Sequence, residues 1–282
     1  MDFNFFPPKI LLPLLRYEYK YLTEIRLRVN FPIILNYKNN RTYLTDFNNK
    51  IYCKQNDIEE IISNVTERSI YAFNDKIKEG FLTTKDGNRI GIAGECVFEN
   101  GKIVTIKNIT SLNVRIAHDV PNSSKNIYDK LFTTKIYNTL IISPPAKGKT
   151  TILKDLANKL NDTNLYSILL IDERGEMIGV KGENIDKMNF CDKTYAFSCA
   201  IRSMSPEIVI IDELSSEHDW KCAKSAISSG VKIIATAHGE SIEDLTKKEY
   251  FINSVFDKYV VLRNSAIPGQ VKNIFDKDFN AI

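Results

Sequence analysis

Charge of one sign is scarce in this sequence. Its 282 residues carry 38 Lys and Arg against 35 Asp and Glu, a net charge of +3. Proteins that bind nucleic acid through its phosphates concentrate a strong basic excess on one face. The balance here gives that class no support, and no nucleic-acid partner is expected. Cysteine is scarce too. Cys53, Cys96, Cys191, Cys199 and Cys222 form an odd set with no CxxC pair, which argues against a disulfide framework and a cysteine zinc site. Inert thiols in a reducing compartment are the plain reading. Long apolar runs are missing as well: none reaches the ~18 residues of a bilayer-spanning helix. The first apolar stretch is broken by Pro7, Pro8 and Pro13 and lacks the basic start of a signal peptide. The expectation is a cytoplasmic protein with no membrane span, or one held at a membrane by a partner.

What is present is an ordinary globular composition, 43% hydrophobic and 26% charged, at a length that suits two domains. Residues 1–120 read as a smaller mixed α/β domain. Glu24 to Val29 alternates as a half-buried strand does. Asp57 to Ser69 repeats Ile58, Ile61, Ile62 and Val65 at helical spacing, with Asp57 as a plausible N-cap. Asn100-Gly101 lies between two strand-like runs and predicts a tight hairpin. Pro121 to Ser124 is the best linker.

Residues 121–282 have another texture. Leu140 to Ile142, Ile168 to Ile171, Ile208 to Ile211 and Val231 to Ala235 are apolar without alternation. Such runs belong to strands covered on both faces. Helical patterns at 151–160, 194–204 and 219–228 separate them, so this half reads as a doubly wound α/β domain with a mainly parallel sheet.

The most informative segment runs Ser143-Pro144-Pro145-Ala146-Lys147-Gly148-Lys149-Thr150-Thr151, directly after a buried strand. It carries the second half of the phosphate-loop pattern G-x-x-x-x-G-K-[ST]. Loop and helix N–H groups would face phosphates, Gly148 would keep the backbone accessible, Lys149 would reach the β- and γ-phosphates, and the Thr150 hydroxyl would ligate Mg²⁺. Ser143 stands where the first glycine belongs. An ordinary strand-to-helix turn is the alternative.

Some sixty residues on, a four-residue apolar run ends in Asp212-Glu213. Asp212 would hold the Mg²⁺ shell and Glu213 would act as general base towards water. A second acidic strand end, Asp172-Glu173-Arg174-Gly175-Glu176, offers Glu173 or Glu176 to the metal or water network, or is simply a solvated loop. His238 ends another buried run as Thr236-Ala237-His238. It is a candidate γ-phosphate sensor, or a structural histidine.

Taken in order, the 143–151 loop, Ile171 to Glu176, Ile201 to Glu207, Asp212-Glu213 and Ala235 to Gly239 resemble the stage III sporulation protein AA family. That family is similar to the traffic ATPases of type II and type IV secretion and pilus systems. Glu24 to Val29, Arg89 to Gly94 and Ser111 to Ala117 extend the resemblance over nearly the whole chain. It implies a RecA-like P-loop ATPase domain behind a smaller N-terminal domain. It implies Mg²⁺-dependent ATP hydrolysis and a homo-oligomeric ring, a hexamer. It further implies membrane-protein partners in a channel between mother cell and forespore, which would place the chain at the inner face of the mother-cell membrane. Arg89 and Arg115 of the N-terminal domain, or Arg202, are the candidate arginine fingers. Two other readings stand beside this one: a nucleotide-gated scaffold with little hydrolysis, motivated by Ser143, and a RecA-like nucleic-acid translocase.

Overall fold

The computed structural model describes residues 3–69, 73–145, 147–265 and 269–282. The chain divides into two compact units, Met1–His118 and Asp119–Ile282. Among the described residues no helix is long and apolar enough to cross a membrane.

The first unit holds helices α1 (Pro8–Leu14), α2 (Gln55–Val65) and α3 (Asn74–Lys78). Its strands are β1 (Leu22–Arg28), β2 (Ile34–Tyr37), β3 (Asn40–Tyr43), β4 (Thr45–Asp46), β5 (Asn49–Lys50), β6 (Phe81–Thr83), β7 (Arg89–Glu99) and β8 (Lys102–Arg115). Six of them form one antiparallel sheet in the order β3-β2-β1-β8-β7-β6, and β4 pairs with β5 alone. The alternation of β1 puts Ile25 and Leu27 into a core with Ile58, Ile61, Leu112 and Val114. Asn100 and Gly101 both take positive φ, 51° and 75°, between the paired ends Glu99 and Lys102, so the hairpin twist matches that of its strands. Asp57 is not the N-cap of α2. It sits one turn in and accepts the Lys54 backbone N–H at 2.6 Å, with Lys9 Nζ at 2.7 Å. A carboxylate in the first turn satisfies an orphan donor as a cap would.

The second unit carries α4 (Lys125–Leu131), β9 (Thr139–Ser143), α5 (Lys149–Asp162), β10 (Ile168–Asp172), β11 (Ile185–Asn189), α6 (Lys193–Cys199), β12 (Ile208–Ile211), α7 (Glu217–Ser228), β13 (Lys232–His238), α8 (Ile242–Thr246), β14 (Lys258–Leu262) and β15 (Val271–Asp276). The sheet order is β11-β10-β12-β13-β9-β14-β15, parallel throughout except for the β14–β15 pair. Period two explains the unbroken apolar runs. Leu140, Ile142, Leu169, Ile171, Val209 and Ile211 face one core with Trp220 of α7. Ile141, Ile168, Leu170, Ile208 and Ile210 face the other, against Leu153 and Leu156 of α5. The inner strands β9, β10, β12 and β13 are thus buried on both faces, which is why their sequences are almost wholly apolar.

The turn expected as a linker belongs to this second unit and is fixed in place. The N–H groups of Asn122 and Ser124 donate to the Asp155 carboxylate at 2.9 and 2.8 Å, and the Ser124 hydroxyl does so at 2.5 Å. Asp155 is buried on α5, so the turn is stapled to the helix that follows the phosphate loop. Its Pro, Asn and Ser residues form a tight turn, as a turn-rich break does.

Candidate functional site

Parallel strands bring their carboxyl ends to one edge, where open α/β sheets bind ligands. Here register does so closely. His238 lies opposite Ser143, and Ile171 lies opposite Ile211, so Asp172 and Asp212 leave the sheet at one level. A cavity of about 570 Å³ opens at that edge. Pro145, Gly148, Lys149, Thr150 and Thr151 line it from the loop and α5, and Arg174, Glu176, Asp212, Glu213 and His238 line it from the other strand ends.

Gly148 precedes α5 with φ 90° and ψ 18°. That left-handed conformation is open to glycine at little cost and turns the chain from β9 into the helix. The first N–H groups of α5 have no partners within their helix, which makes its start an anion site. Lys149 Nζ donates to the carbonyls of Ser143 at 2.8 Å and Pro144 at 3.1 Å. Burial lowers its pKa, against the raising effect of the Glu213, Asp212 and Glu176 carboxylates. Ser143 is fully buried and its hydroxyl donates to the Pro144 carbonyl at 2.9 Å. Lys147 turns from the cavity: its Nζ donates to Ser265 O, and its carbonyl accepts from Gly269 N–H. Ala146 lies outside the described residues.

Opposite the lysine is a concentration of carboxylates. The Thr150 hydroxyl lies 3.0 Å from Glu176 Oε2 and 3.1 Å from Asp212 Oδ1. One hydroxyl proton serves only one of them at a time. Burial, then the neighbouring charges of Glu176, Asp172 and Glu213, push the Asp212 pKa from its ordinary 3.8 up to about 6, although the Thr150 hydrogen bond pulls the other way. Carboxylates this crowded and short of donors suit a divalent cation. Hard oxygen ligands from Thr150 and Asp212 fit Mg²⁺, which is bound by few protein groups and completes its shell with water and phosphate. Among the described residues no group of three or more His, Cys, Asp or Glu could hold a metal ion.

The Asp212 shift carries a stability prediction. The folded chain holds that proton to a higher pH than the unfolded chain does, so stability falls as pH rises from about 4 to about 6 and stays lower above. Asp212→Asn removes the ionisation. It should stabilise the nucleotide-free protein at neutral pH by up to about 3 kcal/mol, and the gain should vanish below about pH 4. Denaturant unfolding across pH checks this, and equal stability of both proteins at neutral pH would refute it.

Asp172 has a different task. Fully buried, it accepts the N–H of Glu176 at 2.9 Å and of Met177 at 2.7 Å. Burial raises its pKa against those donors. It fixes the loop that presents Arg174 and Glu176. Gly175, at φ 73°, completes the turn, and a Cβ there would fall 2.4 Å from the Phe190 ring. Glu173 faces away from the cavity and pairs with Lys193 at 3.0 Å, which also contacts Asp219 at 3.4 Å. Of the two glutamates offered by this segment, then, Glu176 reaches the cavity and Glu173 does not line it. Thr236 is buried within β13, leaving His238 to line the cavity.

Arg202 is exposed on a single π-helical turn, Ala200–Met204, after α6, and does not line the cavity. Arg89 and Arg115 belong to the first unit, directly opposite each other on β7 and β8. Arg89 stacks 3.7 Å from the Phe81 ring centroid. Arg115 sits opposite Glu24, which also holds Arg26 at 2.8 Å. Burial would raise the Glu24 pKa, but hydrogen bonds from Arg26 and Asn113 and the Arg26 and Arg115 charges hold it below the ordinary value. The arginine that lines the cavity is Arg174, whose Nη1 is 3.4 Å from Glu213 Oε2. Spacing and composition give this residue no role; its one signal is a basic side chain inside an acidic strand end.

Solved structures share this fold. The solved structure of the ATPase DotB of Legionella pneumophila matches with a TM-score of 0.59 at 12% identity, covering 96% of this chain and 77% of DotB. The pilus retraction motor PilT, solved with bound ADP, matches with a TM-score of 0.60 at 15% identity, covering 90% of this chain and 77% of PilT. At such identities the likeness is one of fold: a RecA-like P-loop domain with a mainly parallel sheet behind a mixed α/β domain. Stage III sporulation protein AA of Bacillus subtilis (strain 168) is 34% identical over 278 residues, 93% of this chain and 89% of that protein. The family model described as Sporulation stage III, protein AA, matches residues 9–282, and the chain belongs to that family.

Proposed function

We propose that the chain binds and hydrolyses ATP with Mg²⁺ and that hydrolysis drives or gates a membrane-spanning, secretion-like channel during sporulation. The observation that carries the reading is the convergence of Lys149, Thr150, Asp212 and Glu213 on one cavity at the carboxyl edge of the sheet. The triphosphate lies along the loop 143–151 and the N-terminus of α5. Lys149 exchanges the Ser143 and Pro144 carbonyls for β- and γ-phosphate oxygens, a stronger charge-assisted contact. Thr150 and Asp212 would hold Mg²⁺, with Glu176 beside them; the ion supplies neutralisation of phosphate charge. Glu213 orients a water for attack on the γ-phosphorus. The new P–O bond forms as the bond to the β–γ bridging oxygen breaks, that electron pair stays with ADP, and the water proton passes to Glu213. His238 donates to a γ-phosphate oxygen.

The resemblance to the traffic ATPases implies a ring, a hexamer, with Arg89 and Arg115 offered from N-terminal units, and membrane proteins of a sporulation channel as partners at the mother-cell membrane. A ring that shares its sites predicts ATPase activity per protomer that climbs with protein concentration, alongside growth in light scattering. High, flat activity in a strictly monomeric sample would contradict it. A second reading, a nucleotide-gated scaffold with little hydrolysis, is favoured by one feature: Lys149 is held by its own loop, where Ser143 replaces glycine. Tight ATP binding without phosphate release would select it.

A further inference from the structure

Hydrolysis of a triphosphate develops charge that one lysine neutralises only in part, and a second cation in the site can accelerate it by about 10³–10⁵-fold. Arg174 lines the cavity beside Lys149, yet its guanidinium contacts Glu213, the proposed base. The contact is long. At 3.4 Å it exceeds the roughly 2.7–2.9 Å of a tight charge-assisted hydrogen bond. It is also open, the Arg174 side chain being 63% exposed, and exposed pairs of this kind are weak. The backbone under it is the opposite. Asp172 holds the N–H groups of Glu176 and Met177, Gly175 packs under the Phe190 ring, and Phe190 N–H donates to Asp172 O at 2.9 Å. A rigid loop thus presents a weakly held planar fork at the mouth of a phosphate site. The fork matches a phosphate better than a single carboxylate oxygen.

We infer that Arg174 is an exchange group acting within its own subunit: it engages Glu213 while the γ-phosphate position is empty and transfers to the γ-phosphate when a triphosphate enters. This rests on the proposed ATPase activity. The exchange makes Glu213 available to water only when a third phosphate is present, so ADP leaves the pair closed and ATP opens it. Arg174 acts on the base as a positioning residue and on the γ-phosphate as a ligand.

The test is a double-variant cycle on nucleotide affinity, using a non-hydrolysable ATP analogue and ADP, each with Mg²⁺. Glu213→Gln weakens the pair and releases the guanidinium. The analogue should then bind up to about fivefold tighter, the size of an exposed ion pair, while ADP affinity stays the same. In Glu213→Gln/Arg174→Ala that gain should disappear. Arg174→Lys should keep part of it and, in turnover, should retain more kcat than Arg174→Ala at similar ADP affinity. An equal gain in the single and double variants overturns the exchange, because the effect would then be loss of the Glu213 charge alone. A gain for ADP as large as for the analogue overturns it too. If the wild-type chain binds neither nucleotide, the ATPase reading falls and the inference falls with it, a result distinguishable from the other two.

Discussion

Lys149→Ala is expected to weaken ATP binding by about 10–10²-fold and to abolish hydrolysis. A hydrogen bond from a charged donor contributes about 1.5–3 kcal/mol, and in the proposed site Lys149 would reach two phosphates from a loop that otherwise would offer backbone N–H groups. The protein should fold as before. Burial disfavours the ammonium already, and its partners in the free site are two loop carbonyls rather than core groups. Equilibrium titration with ATP and Mg²⁺, with urea unfolding as the folding control, measures both. Unchanged affinity would remove the loop from the binding site.

Glu213→Gln is expected to keep ATP binding and slow hydrolysis by about 10²–10⁴-fold, the usual contribution of a general base. The amide preserves the shape of the side chain and its place in the cavity, beside Arg174, but takes no proton. Single-turnover phosphate release, measured with saturating ATP, separates the chemical step from binding. Near-normal release would move the base to Glu176, the other glutamate lining the cavity. Glu173 is the weaker alternative because Lys193 holds it.

Much of the second unit is legible in the sequence because its strands are buried on both faces. An unbroken run such as Ile208 to Ile211 fits a doubly covered strand and little else, and its first polar residue marks where the strand leaves the core. Asp172 and Asp212 follow from that rule, whereas His238 lies two residues beyond Thr236, a polar residue that stays buried within β13. The edge strands do not follow it. β11 reads Ile-Asp-Lys-Met-Asn, half exposed and paired on one side only, so nothing in its composition distinguishes it from a loop. β15 sits at the other edge with the same mixture. The Asp172 segment shows the limit at the site. Spacing alone gives Glu173 and Glu176 equivalent claims and Arg174 none. Their division of labour comes from tertiary facts: Asp172 buried under the loop, Glu173 drawn to Lys193, Arg174 and Glu176 left facing the cavity. The Asn122 turn makes the same point, since its anchor, Asp155, lies 33 residues away on α5.

The central claim is that one cavity both holds ATP and cleaves it. The most direct measurement is a single series in which the wild-type chain, Lys149→Ala and Glu213→Gln are each assayed for bound ATP and released phosphate in the same Mg²⁺-containing sample. The account predicts binding and release by the wild type, weak binding and no release by Lys149→Ala, and binding with little release by Glu213→Gln. Phosphate release that both substitutions leave intact would contradict it.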